Sequence, residues 1–178
     1  MKHEPKRILS LDPASRVSGY AVMDDTGKLL DAGLLKPVKT RLPVESRVPM
    51  MLDSTIEILD EWKPEILIVE VPLKRQYTTK KQRTTSMAVW AVAAGAFWGW
   101  MWAVRHFYLP GLIVVPVSNV EWTRGSPKLM RQQKVVAMYR GYDPAKDPGL
   151  DVSDAIAMGL WYLRRYKMAQ LATTMAQK

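Results

Sequence analysis

The sequence predicts an α/β fold with a mixed five-stranded sheet flanked by helices. Three short strand-like segments open the chain, and later β-branched runs alternate with segments whose apolar residues recur at helical spacing. Three antiparallel strands followed by strands separated by helices are typical of a sheet that adds two parallel strands at one side. The length of 178 residues suits one domain, so we predict a single domain over 1–178, with frayed ends at 1–6 and 167–178.

The first three strands are predicted to form a meander. They lie at 7–12 (RILSLD), 19–23 (GYAVM) and 29–35 (LLDAGLL), and each is rich in apolar residues. The letters DDTG between the second and third strands suit a tight hairpin turn. We therefore expect these strands to pair in an antiparallel way.

Two more strands alternate with helices along the rest of the chain. Apolar residues at helical spacing predict a helix over 45–62, and the continuous run EILIVEV at 65–71 is typical of a strand buried on both faces. LIVVPV at 112–117 predicts the fifth strand. Residues 128–139 are predicted to be helical, and the last helix is expected to begin at Asp151, after the connector GYDPAKDPG.

The segment 87–104 (MAVWAVAAGAFWGWMWAV) carries no charge and is nearly long enough for a short membrane span. The preceding letters KKQR would suit such an anchor. However, the segment is mostly Ala, Gly and Trp and lies between elements of one alternating fold. We therefore predict a helix buried in the core or in a dimer contact, where large aromatic residues are common.

The charge balance indicates a polyanionic partner. Lys and Arg number 26 against 17 Asp and Glu, which gives a net charge of +9 and a pI of about 9.8. Such a surplus favours nucleic acid or an anionic membrane surface. The chain has no cysteine and only two histidines, so thiolate and zinc sites are not expected. With no secretory signal in MKHEPKRILSL either, we expect a cytoplasmic protein.

Two carboxylates stand where acids are costly. Asp12 ends the first strand and Glu70 lies inside the apolar run LIVEV. Burial of an unpaired ionised carboxylate costs several kcal/mol, so each needs compensation. One interpretation pairs Glu70 with Lys74 and Asp12 with Arg16. Another leaves each acid at a strand end that water reaches.

Two further acids, Asp151 and Asp154, begin the last helix. Acids at this position can cap backbone N–H groups and interact favourably with the helix dipole. A second interpretation brings all four acids together, because converging carboxylates need protons or hard cations, and Mg²⁺ prefers oxygen ligands. Four acids can hold two metal ions about 4 Å apart, an arrangement that cleaves phosphodiesters. Basic loops would then attract the phosphate backbone.

Four motifs carry a resemblance to the RuvC family of Holliday-junction resolvases. ILSLDPASRVSGYAVM is similar to the family's first strand and hairpin, ILIVEVP and VPVSNVEW to later strands, and DVSDAIAMGL to the last helix. The resemblance spans residues 7–166 in the same order. It implies a ribonuclease H-like fold and a homodimer. It also implies metal-dependent nicking of symmetrical strands at a four-way DNA junction, leaving 5′-phosphate and 3′-hydroxyl ends.

The resemblance also implies site residues. It assigns two Mg²⁺ ions, with Mn²⁺ as an alternative, to the family's catalytic acids, which fall on Asp12, Glu70, Asp151 and Asp154. The family has lysines near the scissile phosphate on the helix before the last. Lys134 is the best match for a catalytic lysine, with Lys128 and Arg131 as companions that contact DNA.

The basic loop after the fourth strand is expected to contact DNA. Its expected DNA-contacting residues are Leu73, Lys74, Arg75, Tyr77, Lys80, Lys81 and Arg83. Leu73 stands where the family often has an aromatic residue, and Tyr77 is the nearest aromatic. Ala14 replaces the glycine that usually follows Asp-Pro. Either this turn needs no positive φ, or the backbone differs there.

Three alternatives remain open from the sequence. The first is a nuclease of the same fold that cuts other branched DNA or RNA–DNA hybrids. The second is a non-catalytic basic protein that binds junctions and whose acids are structural. The third is a nucleotide-binding domain of the actin-like superfamily, but the chain lacks a glycine-rich phosphate loop around Asp12.

Overall fold

The computed structural model describes residues 6–14, 16–37, 41–71 and 95–176, and its strands form one sheet. The strands are β1 (Arg7–Asp12), β2 (Ser18–Asp24), β3 (Leu29–Leu35), β4 (Ile66–Glu70) and β5 (Ile113–Val117). Their order across the sheet is β3-β2-β1-β4-β5. β2 pairs antiparallel with both β1 and β3, whereas β4 pairs parallel with both β1 and β5. The predicted mixed five-stranded α/β fold is confirmed.

Helices lie on both sides of the sheet. They are α1 (Val44–Trp62), α2 (residues 95–103, continued by a π-helical turn over Val104–Tyr108), α3 (Asn119–Thr123), α4 (Lys128–Met138) and α5 (Asp151–Ala176). The five-residue α3 was not predicted, because so short a helix has no periodicity to detect. The backbone of α5 continues past the predicted fraying point at 167, and its Met, Ala, Gln and Leu residues are good helix formers.

Alternation along the strands divides the core into two layers. Leu9 and Leu11 of β1 pack with α1 and α2 on one face of the sheet. Ile8 of the same strand packs with α4 and α5 on the other face. Since side chains alternate between faces along a strand, Ser10 and Asp12 also point toward α5. The same alternation in β4 turns Glu70 toward this second layer.

The turn after β1 is stabilised by Ser18. Its buried hydroxyl accepts a hydrogen bond from the backbone N–H of Ala14 at 3.0 Å and also lies 3.3 Å from the Ala14 carbonyl oxygen. Ala14 is not among the residues with positive φ. Of the two alternatives for this position, the structure therefore favours a turn that needs no glycine.

Helix α2 has one buried and one exposed face. Phe97 and Met101 are buried in the layer with α1, whereas Trp98 is 44% exposed and Trp102 is 57% exposed. The predicted helix over 87–104 is thus observed from residue 95, while 87–94 lie outside the described residues. No helix within the described ranges combines the length and hydropathy that a membrane span requires.

The N-terminus of α5 is capped by Asp147. Its buried carboxylate accepts hydrogen bonds from the backbone N–H groups of Val152 (3.2 Å) and Ser153 (2.9 Å), and from the Tyr142 hydroxyl (2.7 Å). Leu150 adopts a φ of 60° at the point where the chain enters the helix. Because Asp147 satisfies these donors, the acids inside the first turn of α5 remain available for another role.

We expect Asp147→Ala to destabilise the protein by about 3 kcal/mol. The substitution removes a cap and leaves buried donors without a partner. The urea midpoint measures this loss. Asp143→Ala is the matched control, since Asp143 caps an exposed turn by accepting from Ala145 N–H and forms an exposed ion pair with Lys146, and we expect it to cost less than about 1 kcal/mol. Equal losses in the two variants would contradict this role of Asp147.

Candidate active site

Asp12 and Glu70 lie at the carboxyl ends of two neighbouring parallel strands. The β1–β4 register pairs Leu11 with Val69, so the next residue on each strand is one of these acids. Both strands end at the same edge of the sheet, and both acids lie on the side that faces α5. This is why two acids far apart in the sequence come together.

Helix α5 brings the other two acids to the same edge. The buried Ser10 hydroxyl donates to the Ala155 carbonyl oxygen at 2.7 Å, which fixes the first turn of α5 over β1. Gly19, which pairs with Asp12 across the sheet, allows close approach, because a Cβ there would lie 1.9 Å from the Asp151 carbonyl oxygen. Asp151 and Asp154 therefore face the strand acids.

Asp12 is the most perturbed of the four acids. Burial raises its pKa well above the ordinary range, and the negative charges of Glu70 and Asp154 raise it further. Its side chain makes no hydrogen bond or salt bridge with any residue that the structure describes. The interpretation that pairs Asp12 with Arg16 is thus not supported, and Lys74, which the same interpretation pairs with Glu70, lies outside the described residues. The Asp12 carboxylate can therefore bind a proton or a cation.

Glu70 is oriented by two residues to which the sequence analysis gave no role. Trp122 donates its indole N–H to Glu70 Oε2 at 2.7 Å, and the Asn119 amide donates to Oε1 at 3.2 Å. Burial raises the pKa of Glu70, although these hydrogen bonds oppose the shift. Both residues fall in the motif VPVSNVEW and lie on α3. The sequence analysis used this motif only for the family resemblance. Because it did not predict α3, it could not place these two side chains beside Glu70.

Lys128, at the start of α4, lies against the acids of α5. Its Nζ is 3.3 Å from Asp151 Oδ1 and 3.1 Å from Asp154 Oδ2. Burial lowers the pKa of Lys128, but attraction to Asp154, Asp12 and Asp151 outweighs this effect, so the pKa is raised. The pKa of Asp151 is raised by burial, with Lys128 opposing the shift. Lys128 is therefore a permanent cation within the acidic cluster.

Arg131 and Lys134 occupy different positions from those expected. The Arg131 guanidinium is buried and binds both oxygens of Asp154, with Nε–Oδ1 at 2.7 Å and Nη2–Oδ2 at 2.9 Å. It faces the acids rather than an open DNA-binding surface. Lys134 is exposed one turn further along α4, and no contact ties it to the four acids. The structure therefore favours Lys128 over Lys134 as the lysine of the site.

The expected DNA-contacting residues after β4 lie outside the described residues; they are Leu73, Lys74, Arg75, Tyr77, Lys80, Lys81 and Arg83. Of the residues expected to contact DNA, only Lys128 and Arg131 are described. Both contact Asp154.

The chemistry of these side chains suits a hard divalent cation. The candidate metal ligands are all carboxylate oxygens, and the Asp12 side chain has no hydrogen-bond or salt-bridge partner among the described residues. Within the described ranges, however, no set of three or more acidic or histidine side chains is arranged to hold a metal ion. Lys128 contacts Asp151 and Asp154, and Arg131 contacts Asp154, so among the described residues Asp12 and Glu70 are the two acids of this site that make no salt bridge.

Comparison with known proteins identifies relatives over nearly the whole chain, although no protein-family model matches. The crossover junction endodeoxyribonuclease RuvC of Methylococcus capsulatus is 25% identical over 174 residues, which cover 97% of this chain and 99% of the relative. The RuvC protein of Thermomicrobium roseum is 27% identical over 177 residues, which cover 93% of this chain and 97% of the relative. The resemblance to the RuvC family is confirmed.

Solved structures support the fold. Thermus thermophilus RuvC, in complex with a Holliday junction substrate, superposes with a TM-score of 0.62 at 17% identity and covers 92% of this chain and 96% of its own. The yeast mitochondrial Holliday junction resolvase gives a TM-score of 0.56 at 11% identity, covering 90% of this chain and 79% of its own. The expected ribonuclease H-like architecture is confirmed.

Proposed function

We propose that this chain is a RuvC-family endodeoxyribonuclease that resolves four-way DNA junctions by metal-dependent hydrolysis of phosphodiester bonds. The observation that carries the proposal is the gathering of Asp12, Glu70, Asp151 and Asp154 at one edge of the sheet, with Lys128 among them. Full-length similarity to crossover junction endodeoxyribonucleases supports the same activity. The enzyme acts in recombination and repair of DNA, and the cysteine-free chain suits the cytoplasm.

The proposed cofactor is Mg²⁺, with two ions for each active site and Mn²⁺ as an alternative. Asp12, Glu70, Asp151 and Asp154 would hold it, since carboxylates are the ligands that Mg²⁺ prefers. When bound, a divalent cation supplies a water nucleophile at neutral pH and charge stabilisation for the phosphate and the departing 3′ oxygen.

The protein's own residues position these charges. Trp122 and Asn119 fix the rotamer of Glu70, so that its carboxylate needs no rearrangement during the reaction. The raised pKa of Lys128 keeps its ammonium protonated, and we propose that it donates a hydrogen bond to the scissile phosphate. Cleavage leaves a 5′-phosphate and a 3′-hydroxyl.

The positive surplus of the chain supports DNA binding. A net charge of +9 attracts a phosphate backbone that the acidic site alone would repel. We propose that the segment after β4 carries the main DNA contacts, through the side chains of Leu73, Lys74, Arg75, Tyr77, Lys80, Lys81 and Arg83. DNA binding through these cations should weaken steeply as salt concentration rises.

We also propose that the enzyme is a homodimer, since two active sites are needed to nick two symmetrical strands. The exposed aromatic face of α2 and its π-helical turn, formed by Trp98, Trp102 and Phe107, supports this arrangement. Phe107 is 76% exposed, and its ring packs against that of Trp102 with centroids 5.3 Å apart. Large aromatic residues are enriched in protein interfaces.

We expect Trp102→Glu to convert the dimer into monomers, because a charge would be buried in the interface. Light scattering coupled to size-exclusion chromatography measures the mass. Tyr166→Glu is the control, since Tyr166 is also exposed but lies on α5, away from this face. A wild-type monomer, or a Trp102→Glu dimer that forms at the same concentration as the wild type, would contradict this assignment of the interface.

A panel of DNA substrates tests the proposed function. Purified protein is incubated with a four-way junction, a replication fork, a linear duplex and an RNA–DNA hybrid of the same sequence, with Mg²⁺ or EDTA. We expect the junction to be cut fastest and every cut to require the metal. Preferential cutting of the hybrid or the fork would instead support a nuclease of the same fold with another substrate.

A further inference from the structure

Arg131 is engaged in the active site as a fixed cation. Its guanidinium binds both oxygens of Asp154, and its remaining Nη1 group donates to the Ser126 carbonyl oxygen. Asp154 is 1% exposed and Arg131 is 7% exposed, so neither group can exchange its partner for bulk water without local movement. Such a buried bidentate pair is strong and fixed in geometry.

Trp122 joins this pair to the opposite side of the site. The guanidinium lies over the Trp122 ring, with Cζ 4.8 Å from the ring centroid, in the geometry of a cation–π contact. The edge of the same ring donates its N–H to Glu70 at 2.7 Å. Arg131 is therefore held by a carboxylate, a carbonyl and an aromatic face at once, and one aromatic residue connects it to the acid of β4.

This arrangement limits what Asp154 can offer a metal ion. A carboxylate has about four lone-pair positions on its two oxygens. Oδ1 accepts from Arg131 Nε, while Oδ2 is approached by both Arg131 Nη2 and Lys128 Nζ. These three contacts leave about one lone-pair position, on Oδ1, so Asp154 cannot chelate a cation through both oxygens while they persist. Among the described residues, two cations against four ionised carboxylates leave two negative charges, which a single divalent ion neutralises.

The absence of a three-acid metal site among the described residues agrees with this reading. Among the described residues, no cation lies within hydrogen-bond range of Asp12 or Glu70. By contrast, Lys128 contacts both Asp151 and Asp154, and Arg131 contacts Asp154. The two strand acids are thus open to a metal ion, and the two helix acids are already neutralised by side chains.

We propose that Arg131 is a positioning residue that occupies the second metal position of the free enzyme. The free protein binds one divalent ion, at Asp12 and Glu70, and the second ion binds only after Arg131 releases Asp154. This inference rests on the proposed function, which requires two metal ions. It assigns one ion to the accessible position at Asp12 and Glu70, and the other to the position at Asp154 that Arg131 occupies. The number of divalent ions that the free protein binds therefore depends on Arg131.

Counting bound Mn²⁺ in the absence of DNA tests this directly. Free Mn²⁺ is followed by electron paramagnetic resonance during a titration of the metal alone into the full chain. We expect one strong site for each wild-type protomer and two for Arg131→Gln. The double variant Arg131→Gln with Asp154→Asn should return to one, because it opens the second position but removes its ligand. Arg165→Gln, which removes an exposed partner of Glu121, should bind one ion like the wild type.

The result in the wild type alone can overturn the proposal. Two equally strong Mn²⁺ sites in the free wild-type protein would contradict it, even if Arg131→Gln fails to fold because a buried charge has lost its partner. A folded Arg131→Gln protein that still binds one ion would contradict it as well. Failure of the proposed function is seen separately, as a wild-type protein that nicks no DNA substrate, whereas the ion count needs no substrate.

Discussion

Asp12→Asn will abolish junction cleavage and, in the absence of divalent ions, raise the melting temperature. The loss of activity should be at least about 1,000-fold, because metal ions contribute several kcal/mol to the transition state and about 1.4 kcal/mol corresponds to a factor of ten. The amide also removes a charge that the fold stabilises poorly. Removal of an acid that serves function at the expense of stability commonly stabilises the protein.

The sign of the stability effect follows from the pKa of Asp12. Burial and the neighbouring acids raise this pKa in the folded protein above its value in the unfolded chain. The folded state therefore binds the proton more tightly, and stability falls as the pH rises above about 4, the ordinary pKa of an aspartate. Asparagine does not ionise, so the variant should lose this dependence. Each kcal/mol gained corresponds to about 2–4 °C in the melting temperature.

Thermal melts at pH 7 in EDTA and in Mg²⁺ measure both parts of this expectation. Mg²⁺ should raise the melting temperature of the wild type and have less effect on Asp12→Asn, because a ligand stabilises only the state that binds it. Asp53→Asn is the control, since Asp53 is exposed on α1. If Asp12→Asn melts below the wild type in EDTA, Asp12 is a structural residue and the metal-binding interpretation is wrong.

The second large effect is expected at Lys128. Lys128→Gln should lower the single-turnover rate of junction cleavage by about 100- to 1,000-fold, the range typical for loss of one fixed donor to transition-state charge. Lys134→Gln is the matched control on the same helix. Lys134 is exposed and further from the acids, so its loss should change the rate by less than about tenfold.

Binding measurements separate the catalytic and electrostatic contributions of the two lysines. We expect both variants to bind the junction with similar affinity in EDTA, because each removes one positive charge from a strongly basic protein. A larger loss of cleavage rate for Lys134→Gln than for Lys128→Gln would restore Lys134 as the catalytic lysine.

Most of the fold could be predicted from the sequence because its signals are local. The apolar segment RILSLD and the continuous run ILIVE identify β1 and β4, and the helical spacing over α1 identifies its buried face. Each of these inferences needs only the period of a single element. The sequence placed Asp12 at the end of one strand and Glu70 within another, but their meeting at one edge of the sheet depends on the parallel pairing of β1 with β4.

The details of the site depended on three-dimensional contacts that no local pattern records. On α4, residues 128, 131 and 134 share one helix face by spacing, but only the first two are near enough to α5 to contact its acids. The capping role of Asp147 depended on the turn at Leu150, where a positive φ is unusual for leucine. The positions of Trp122 and Asn119 followed from α3, a helix too short to predict.

The measurement that tests the central claim most directly is strand-by-strand mapping of the products from a four-way junction, with each strand labelled in turn. We expect paired nicks at symmetrical positions on two strands in Mg²⁺, with 5′-phosphate ends. These nicks should be absent in EDTA and in Asp12→Asn. Tight binding of the junction with no nick in either Mg²⁺ or Mn²⁺ would contradict the claim and leave the protein as a junction-binding protein whose acids are structural.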